Sequence, residues 1–205
     1  MIIVDLDDTI LDTGSTLRRV KLSDAAAYGP SGFEAYVLER AGEHRRGSDI
    51  IRDACALFEV DEDTEALMIA EYYEGPAVLD VPLIDGAREA LESFKAMGER
   101  IVCVSAGREE RQRAKISGAN LAFDDVFVVS EPEDKALVYA DLCSDEDPSR
   151  IVVIGDSLTD VLPARQLGMH AVLLAPALDA WDGPDATRWD EVRSIVSSML
   201  TGSQC

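Results

Sequence analysis

Apolar and polar positions along the chain repeat with two different periods, and the change from one to the other divides it. Short, mostly β-branched apolar runs occupy 2–4, 101–104, 126–129, 151–154 and 170–174. Runs of this length, bounded by polar residues, read as strands buried on both faces. Between them the apolar positions recur every three or four residues, the spacing of a helix with one inward face. Ala87, Ala90, Leu91, Phe94 and Met97 form one such stripe, closed by Gly98 as a C-cap. Further helices are predicted over 109–116 (ended by Gly118 or Asn120), over 133–143 and over 159–167. The last is the amphipathic stretch of Trp189, Val192, Ile195, Val196 and Met199. Segment 144–148, four of whose five residues are Ser, Asp or Glu, reads as a solvated loop.

From 15 to 82 only the helical period appears. Phe33, Tyr36, Val37 and Leu38 fall near helical spacing; so do Ile50, Ile51, Ala54, Cys55 and Phe58, then Leu67, Ala70, Tyr72 and Tyr73. Gly29-Pro30, Gly42, Gly47 and Gly75-Pro76 punctuate these stretches. The pattern predicts three or four helices inserted after the first strand of an α/β domain. Alternating strands and helices imply a doubly wound parallel sheet with helices on both faces. The expected division is a core of 1–14 and 83–205, with 15–82 as a helical insertion overhanging the carboxyl ends of the strands as a lid.

Composition narrows the function classes. The 205 residues carry 40 acids against 19 bases, a net charge of −21, with a pI near 4.3. Such a surface argues against nucleic acid and anionic membranes as partners. No apolar run approaches the roughly 18 residues of a membrane span, and the start lacks the basic and apolar regions of a signal peptide. Four scattered cysteines, with no CxxC pair, argue against structural zinc and a disulfide framework, so a reducing cytoplasm is the expected compartment. Only Lys21, Lys95, Lys115 and Lys135 are lysines. An acid-rich, lysine-poor composition fits a protein adapted to high internal salt, which screens self-repulsion.

The chemistry gathers where strands end. Asp5-Leu6-Asp7-Asp8-Thr9 follows the first apolar run; Ser105-Ala106-Gly107 follows the second. Gly155-Asp156-Ser157 follows the fourth, with Asp160 one helical turn on, and Lys135 comes from the helix after the third. In a parallel sheet these groups share one edge, where ligands bind in open α/β folds. Carboxylates crowded there repel unless a cation or a shared proton relieves them. His44 and His170 are too isolated for a catalytic triad or metal cluster, and Arg108 has a surface or a substrate-contacting role open to it.

These segments resemble the motifs of the haloacid dehalogenase superfamily, most of whose members are aspartyl phosphatases. Asp5-Leu6-Asp7-Asp8-Thr9 matches its DxDxT motif, Ser105 the second, Lys135 the third, and Gly155-Asp156-Ser157-Leu158-Thr159-Asp160 its GDSxxD motif. The position of the insert matches the family's C1-type cap. The resemblance implies an Mg²⁺-dependent phosphatase acting on a small phosphorylated metabolite. Asp5 is then the nucleophile and Asp7 the acid/base. Mg²⁺ is held by Asp5, Asp156 and the backbone carbonyl of Asp7. Ser105 and Lys135 bind phosphoryl oxygens, and Asp160 supports them from behind. Thr9 braces the turn and, with Ala106 and Gly107, borders the substrate. Arg45 and Arg46, the densest cationic spot of the insert, are candidates for an anionic part of the substrate. A phosphomutase or a dehalogenase on the same fold, or a receiver-type module storing phosphate on aspartate, are the rival readings. Asp7 favours phosphoryl transfer over dehalogenation, and the insert with its late GDSxxD argues against a receiver. The pattern leaves substrate identity and oligomeric state open.

Overall fold

The computed structural model describes residues 1–43, 46–74, 81–144, 146–174 and 184–202. The chain divides into two compact units, Asp12–Pro82 on one hand and Met1–Leu11 with Leu83–Cys205 on the other.

The discontinuous unit is an α/β fold built on five parallel strands: β1 (Ile2–Val4), β2 (Ile101–Ala106), β3 (Asp125–Val129), β4 (Val152–Gly155) and β5 (His170–Leu173). Their order is β3-β2-β1-β4-β5, with Ile2 opposite Ile101 on one side and Val152 on the other. The chain steps outward from β1 to β3, then returns to place β4 and β5 beyond β1. That reversal puts the topological switch point between β1 and β4, where a crevice opens at the carboxyl ends. The central strands have buried side chains on both faces, as continuous Val/Ile runs require. Ile3, Val102, Val104 and Val153 join Tyr139 of α7 (Lys135–Leu142) and Val161 and Ala164 of α8 (Leu158–Gln166) in one core cluster. α5 (Ala87–Ala96) packs with α9 (Trp189–Gly202), whose Trp189, Val192 and Val196 are fully buried.

Several boundaries differ from the sequence pattern. β2 runs on to Ala106, so Ser105 lies within the strand. Pro132 opens a 3-10 turn over Pro132–Asp134, and the α-helix expected from 133 begins at Lys135. Asn120, with φ of 49°, takes the left-handed position after α6 (Glu109–Gly118), while Gly98 takes it after α5 as expected. Met97 lies past the last turn of α5 and is exposed rather than inward.

The other unit contains α1 (Arg18–Ala26), α2 (Phe33–Glu39), α3 (Gly47–Leu57) and α4 (Glu62–Glu74). Leu22, Phe33, Val37, Ile50, Ile51, Ala54, Cys55 and Met68 make its core. The inward face of α4 matches the expected stripe only at Tyr72, since Ala70 and Tyr73 are exposed. Leu67 is exposed, and Met68 with Tyr72 one turn later faces the cluster. Gly47 lies close against the ring end of Tyr72, which would have to shift to admit a Cβ. Among the described residues no helix is long and apolar enough to cross a membrane.

Candidate active site

β1 delivers Asp5 to the switch point, one position past Val4, with its amide donating to the Ile154 carbonyl at 2.9 Å. The next residues form a tight loop. Ile10 and Leu11 both donate to the Leu6 carbonyl, and Asp8 sits at φ of 58°, a left-handed conformation that aspartate tolerates. The loop gives Asp5 and Asp7 different partners. Asp5 is 7% exposed and accepts from Lys135 Nζ at 2.7 Å. Asp7 turns to α6, where Lys115 Nζ lies 2.7 and 2.9 Å from its two oxygens and Gln112 Nε2 donates to Oδ2 at 2.7 Å.

β4 brings Asp156 beside Asp5, and α8 begins immediately after. Ser157 caps α8 in a capping box with Asp160. Asp160 Oδ2 accepts from the Ser157 amide and hydroxyl, and its Oδ1 accepts from Lys135 Nζ at 2.5 Å. Lys135 therefore bridges Asp5 and Asp160. A glycine must precede this turn, because a Cβ on residue 155 would lie 2.4 Å from the Asp160 Cβ. Thr9 ties the two acidic segments together: its hydroxyl donates to Asp156 Oδ1 at 3.1 Å, and its carbonyl accepts from Trp189 Nε1 at 2.8 Å. It is fully buried, with both its hydroxyl and its carbonyl engaged.

Ser105 is buried on β2, its hydroxyl accepting from Gln112 Nε2 at 2.7 Å. Ala106 is half-buried and accepts from the same amide through its carbonyl. Gly107 is exposed, takes φ of 140°, and donates to the Val129 carbonyl. The structure thus brings Asp5, Asp7, Thr9, Ser105, Lys135, Asp156 and Asp160 to one sheet edge. Arg46 belongs to the helical unit, exposed at the N-cap of α3, and Arg45 lies outside the described residues. Arg108, at the N-cap of α6, is exposed.

Gln112 and Lys115 were not among the expected site residues. The signal was nonetheless present: Ile116 marks the inward face of the 109–116 helix, and Gln112 lies one turn before it. Lys115 is also one of four lysines, and two of the four, Lys115 and Lys135, end up buried here against carboxylates.

The electrostatics follow from one ammonium shared among several acids. Burial pushes the Asp5 carboxyl well above the usual carboxylate range; Lys135 opposes this, while Asp160 and Asp156 add to it. Burial, then Asp160 and Asp8, push Asp156 up to about 7, with the Thr9 hydroxyl working the other way. Burial alone would lower Lys135, but the carboxylates of Asp5 and Asp160 outweigh it and hold the ammonium above the usual lysine range. The pocket therefore carries more negative charge than Lys135 offsets. Asp5, Asp156 and Asp160 each present an oxygen within 4.8 Å of the others. Hard oxygen donors with surplus negative charge suit a divalent cation such as Mg²⁺. Asp5 and Asp156 are the better placed donors, since both Asp160 oxygens are occupied by Lys135 and Ser157.

Comparison with known proteins agrees with this arrangement. The family model of haloacid dehalogenase-like hydrolases matches residues 1–168. A phosphoglycolate phosphatase of Nitrosospira multiformis is 27% identical over 192 residues, covering 82% of this chain and 80% of its own length. A haloacid dehalogenase-like hydrolase from Xanthomonas campestris superposes with a TM-score of 0.67 at 23% identity, covering 100% of this chain and 94% of that one. A magnesium-bound hydrolase of the same group from Bacillus subtilis gives 0.68 at 18% identity, covering 95% and 97%. With four-fifths of its length under one family model and its acids at the ends of β1 and β4, the chain belongs to the haloacid dehalogenase-like hydrolase family.

Proposed function

We propose that the protein is an Mg²⁺-dependent phosphatase that hydrolyses a small phosphate monoester through a phosphorylated Asp5. The observation that carries this reading is the separate setting of two acids two residues apart. Asp5 is buried against Lys135 beside Asp156, while Asp7 is held separately by Lys115 and Gln112. Each carboxylate has its own ammonium partner, and we assign attack to Asp5, which lies beside Asp156, and proton transfer to Asp7.

Asp5 Oδ attacks phosphorus as the ester P–O bond breaks, and Asp7 gives its proton to the departing alkoxide. Water then attacks the phosphoryl group on Asp5, losing a proton to Asp7, and the P–O bond to Asp5 breaks to release phosphate. The Ser105 hydroxyl and the Lys135 ammonium, at the same edge, are the groups we assign to the phosphoryl oxygens as charge builds on them. Asp5 and Asp156, with the carbonyl of Asp7, would hold Mg²⁺, which would supply the charge neutralisation that lets an anion approach an anion. The helical unit is the part of the chain to which we assign substrate selection. Similarity to a phosphoglycolate phosphatase makes 2-phosphoglycolate the first substrate to try.

Rapid quench with an aryl phosphate tests the roles. Asp5→Asn forms no covalent adduct. Asp7→Asn, assisted by a leaving group that needs little protonation, accumulates phospho-Asp5 while turnover falls about 10²–10⁴-fold, the usual worth of general acid/base catalysis. Label on another residue, or Asp7→Asn turning over at the wild-type rate, refutes the assignment.

A further inference from the structure

The inward face of α6 is unusual for a helix packed on a sheet. Its buried residues are Gln112, Lys115 and Ile116, so two of three inward positions are polar. Gln112 is 2% exposed and Lys115 9%. Buried lysine is rare unless paired, and a buried ion pair adds little to stability compared with apolar residues of the same size. Folding alone would be served as well by leucine or methionine at both sites. Both polar groups instead converge on one carboxylate. Lys115 Nζ reaches both oxygens of Asp7, which fixes the plane of the carboxylate as a single contact would not. Gln112 Nε2 is 2.7 Å from Asp7 Oδ2, 2.7 Å from Ser105 Oγ and 2.9 Å from the Ala106 carbonyl. The amide thus references Asp7 to the strand that carries Ser105.

We propose that Lys115 and Gln112 are positioning residues. Together they hold the Asp7 carboxylate at a fixed height and angle over the end of β2, where it meets the oxygen of the leaving group. This deepens the phosphatase reading and rests on it. α6 is otherwise a connection between β2 and β3, and its two polar positions make it part of the catalytic apparatus through Asp7. Misplacing a catalytic group by about 1 Å costs on the order of 10²-fold. Loss of either positioning residue is therefore felt most by substrates that depend on Asp7.

The test compares single-turnover cleavage of 2-phosphoglycolate, whose alkoxide needs a proton, with that of 4-nitrophenyl phosphate, whose phenolate scarcely does. In Lys115→Met we expect cleavage of the alkyl ester to fall at least tenfold more than that of the aryl ester. KM should stay within about twofold, because the Lys115 ammonium is engaged with both oxygens of Asp7. Lys115→Arg should recover part of the loss by restoring a cation. Gln112→Leu, which keeps volume and leaves the ion pair in place, should show the same selectivity with smaller amplitude, and serves if Lys115→Met does not fold. Equal losses on the two esters in both variants, or rates matching wild type, overturn the positioning role while leaving the phosphatase reading intact. A wild type that cleaves neither ester removes the phosphatase reading and this proposal with it.

Discussion

Replacing Lys135 by methionine removes the one ammonium that bridges Asp5 and Asp160 and keeps the side-chain length. In wild type the Nζ lies 2.7 Å from Asp5 and 2.5 Å from Asp160, with the lysine only 4% exposed. At an effective dielectric of about 20, each contact is worth roughly 6 kcal/mol before dehydration of the ions is counted. Most of that is offset by dehydration, and breaking such a buried pair by removing one partner leaves a net cost of about 3–5 kcal/mol. The variant has one escape, which is to protonate a carboxylate. Holding a proton at pH 7 on a group whose ordinary pKa is near 4 costs about 4 kcal/mol, and at pH 5.5 about half that. The expected destabilisation is therefore larger at pH 8 than at pH 5.5. At about 2–4 °C per kcal/mol for a chain of this size, the melting temperature in chelator should drop on the order of 10 °C at pH 8. Asp160→Asn added to Lys135→Met should recover part of the drop. Melts by circular dichroism over that pH range decide it. A drop below about 2 °C, or the same drop at both pH values, would show that Lys135 is not balancing these acids.

Other outcomes follow from the same geometry. Because Asp156 is pushed up to about 7, the metal-free fold binds its proton more tightly than the unfolded chain does. Metal-free stability should thus fall as pH rises from about 4 to about 7, and Mg²⁺, which displaces that proton, should raise the melting temperature more at pH 8 than at pH 5. An Mg²⁺ effect that is absent, or largest at low pH, counts against the site. Gly155→Ala forces the Asp160 side chain aside and should abolish most phosphatase activity while the sheet still forms; activity near wild type would contradict the close approach. With 40 acids against 19 bases, screening predicts a melting temperature rising with KCl up to about 1 M, where the Debye length is roughly 3 Å. A flat or falling curve argues against adaptation to salt.

The sheet and most of the site were legible because strand ends are marked by abrupt changes of polarity. Ile2-Ile3-Val4 meeting Asp5, and Val152-Val153-Ile154-Gly155 meeting Asp156, place both acids without any knowledge of packing. Helix phase was harder to read. In α4 Leu67 and Met68 are adjacent and both apolar, and only tertiary contact decides that Met68 turns inward. Gln112 and Lys115 escaped notice because polar residues within a helix are ordinarily read as its solvated face, and their partner Asp7 is over a hundred residues away. The role of Thr9 was half legible: its place in the motif was plain, but its burial under Trp189 depends on a helix at the far end of the chain.

That last contact has a practical meaning. The acids, Ser105 and Lys135 all precede residue 161, and the family match ends at 168, so a trimmed chain ending near Leu174 would look chemically complete. It would lack α9, and with it the indole that holds the carbonyl of Thr9, whose hydroxyl binds Asp156. The loop carrying Asp5 and Asp7 would then lose that tether, its buried Thr9 carbonyl missing a donor. Shortening, tagging or crowding the α9 end is therefore an operation on the acidic loop after β1, carried out from a distance.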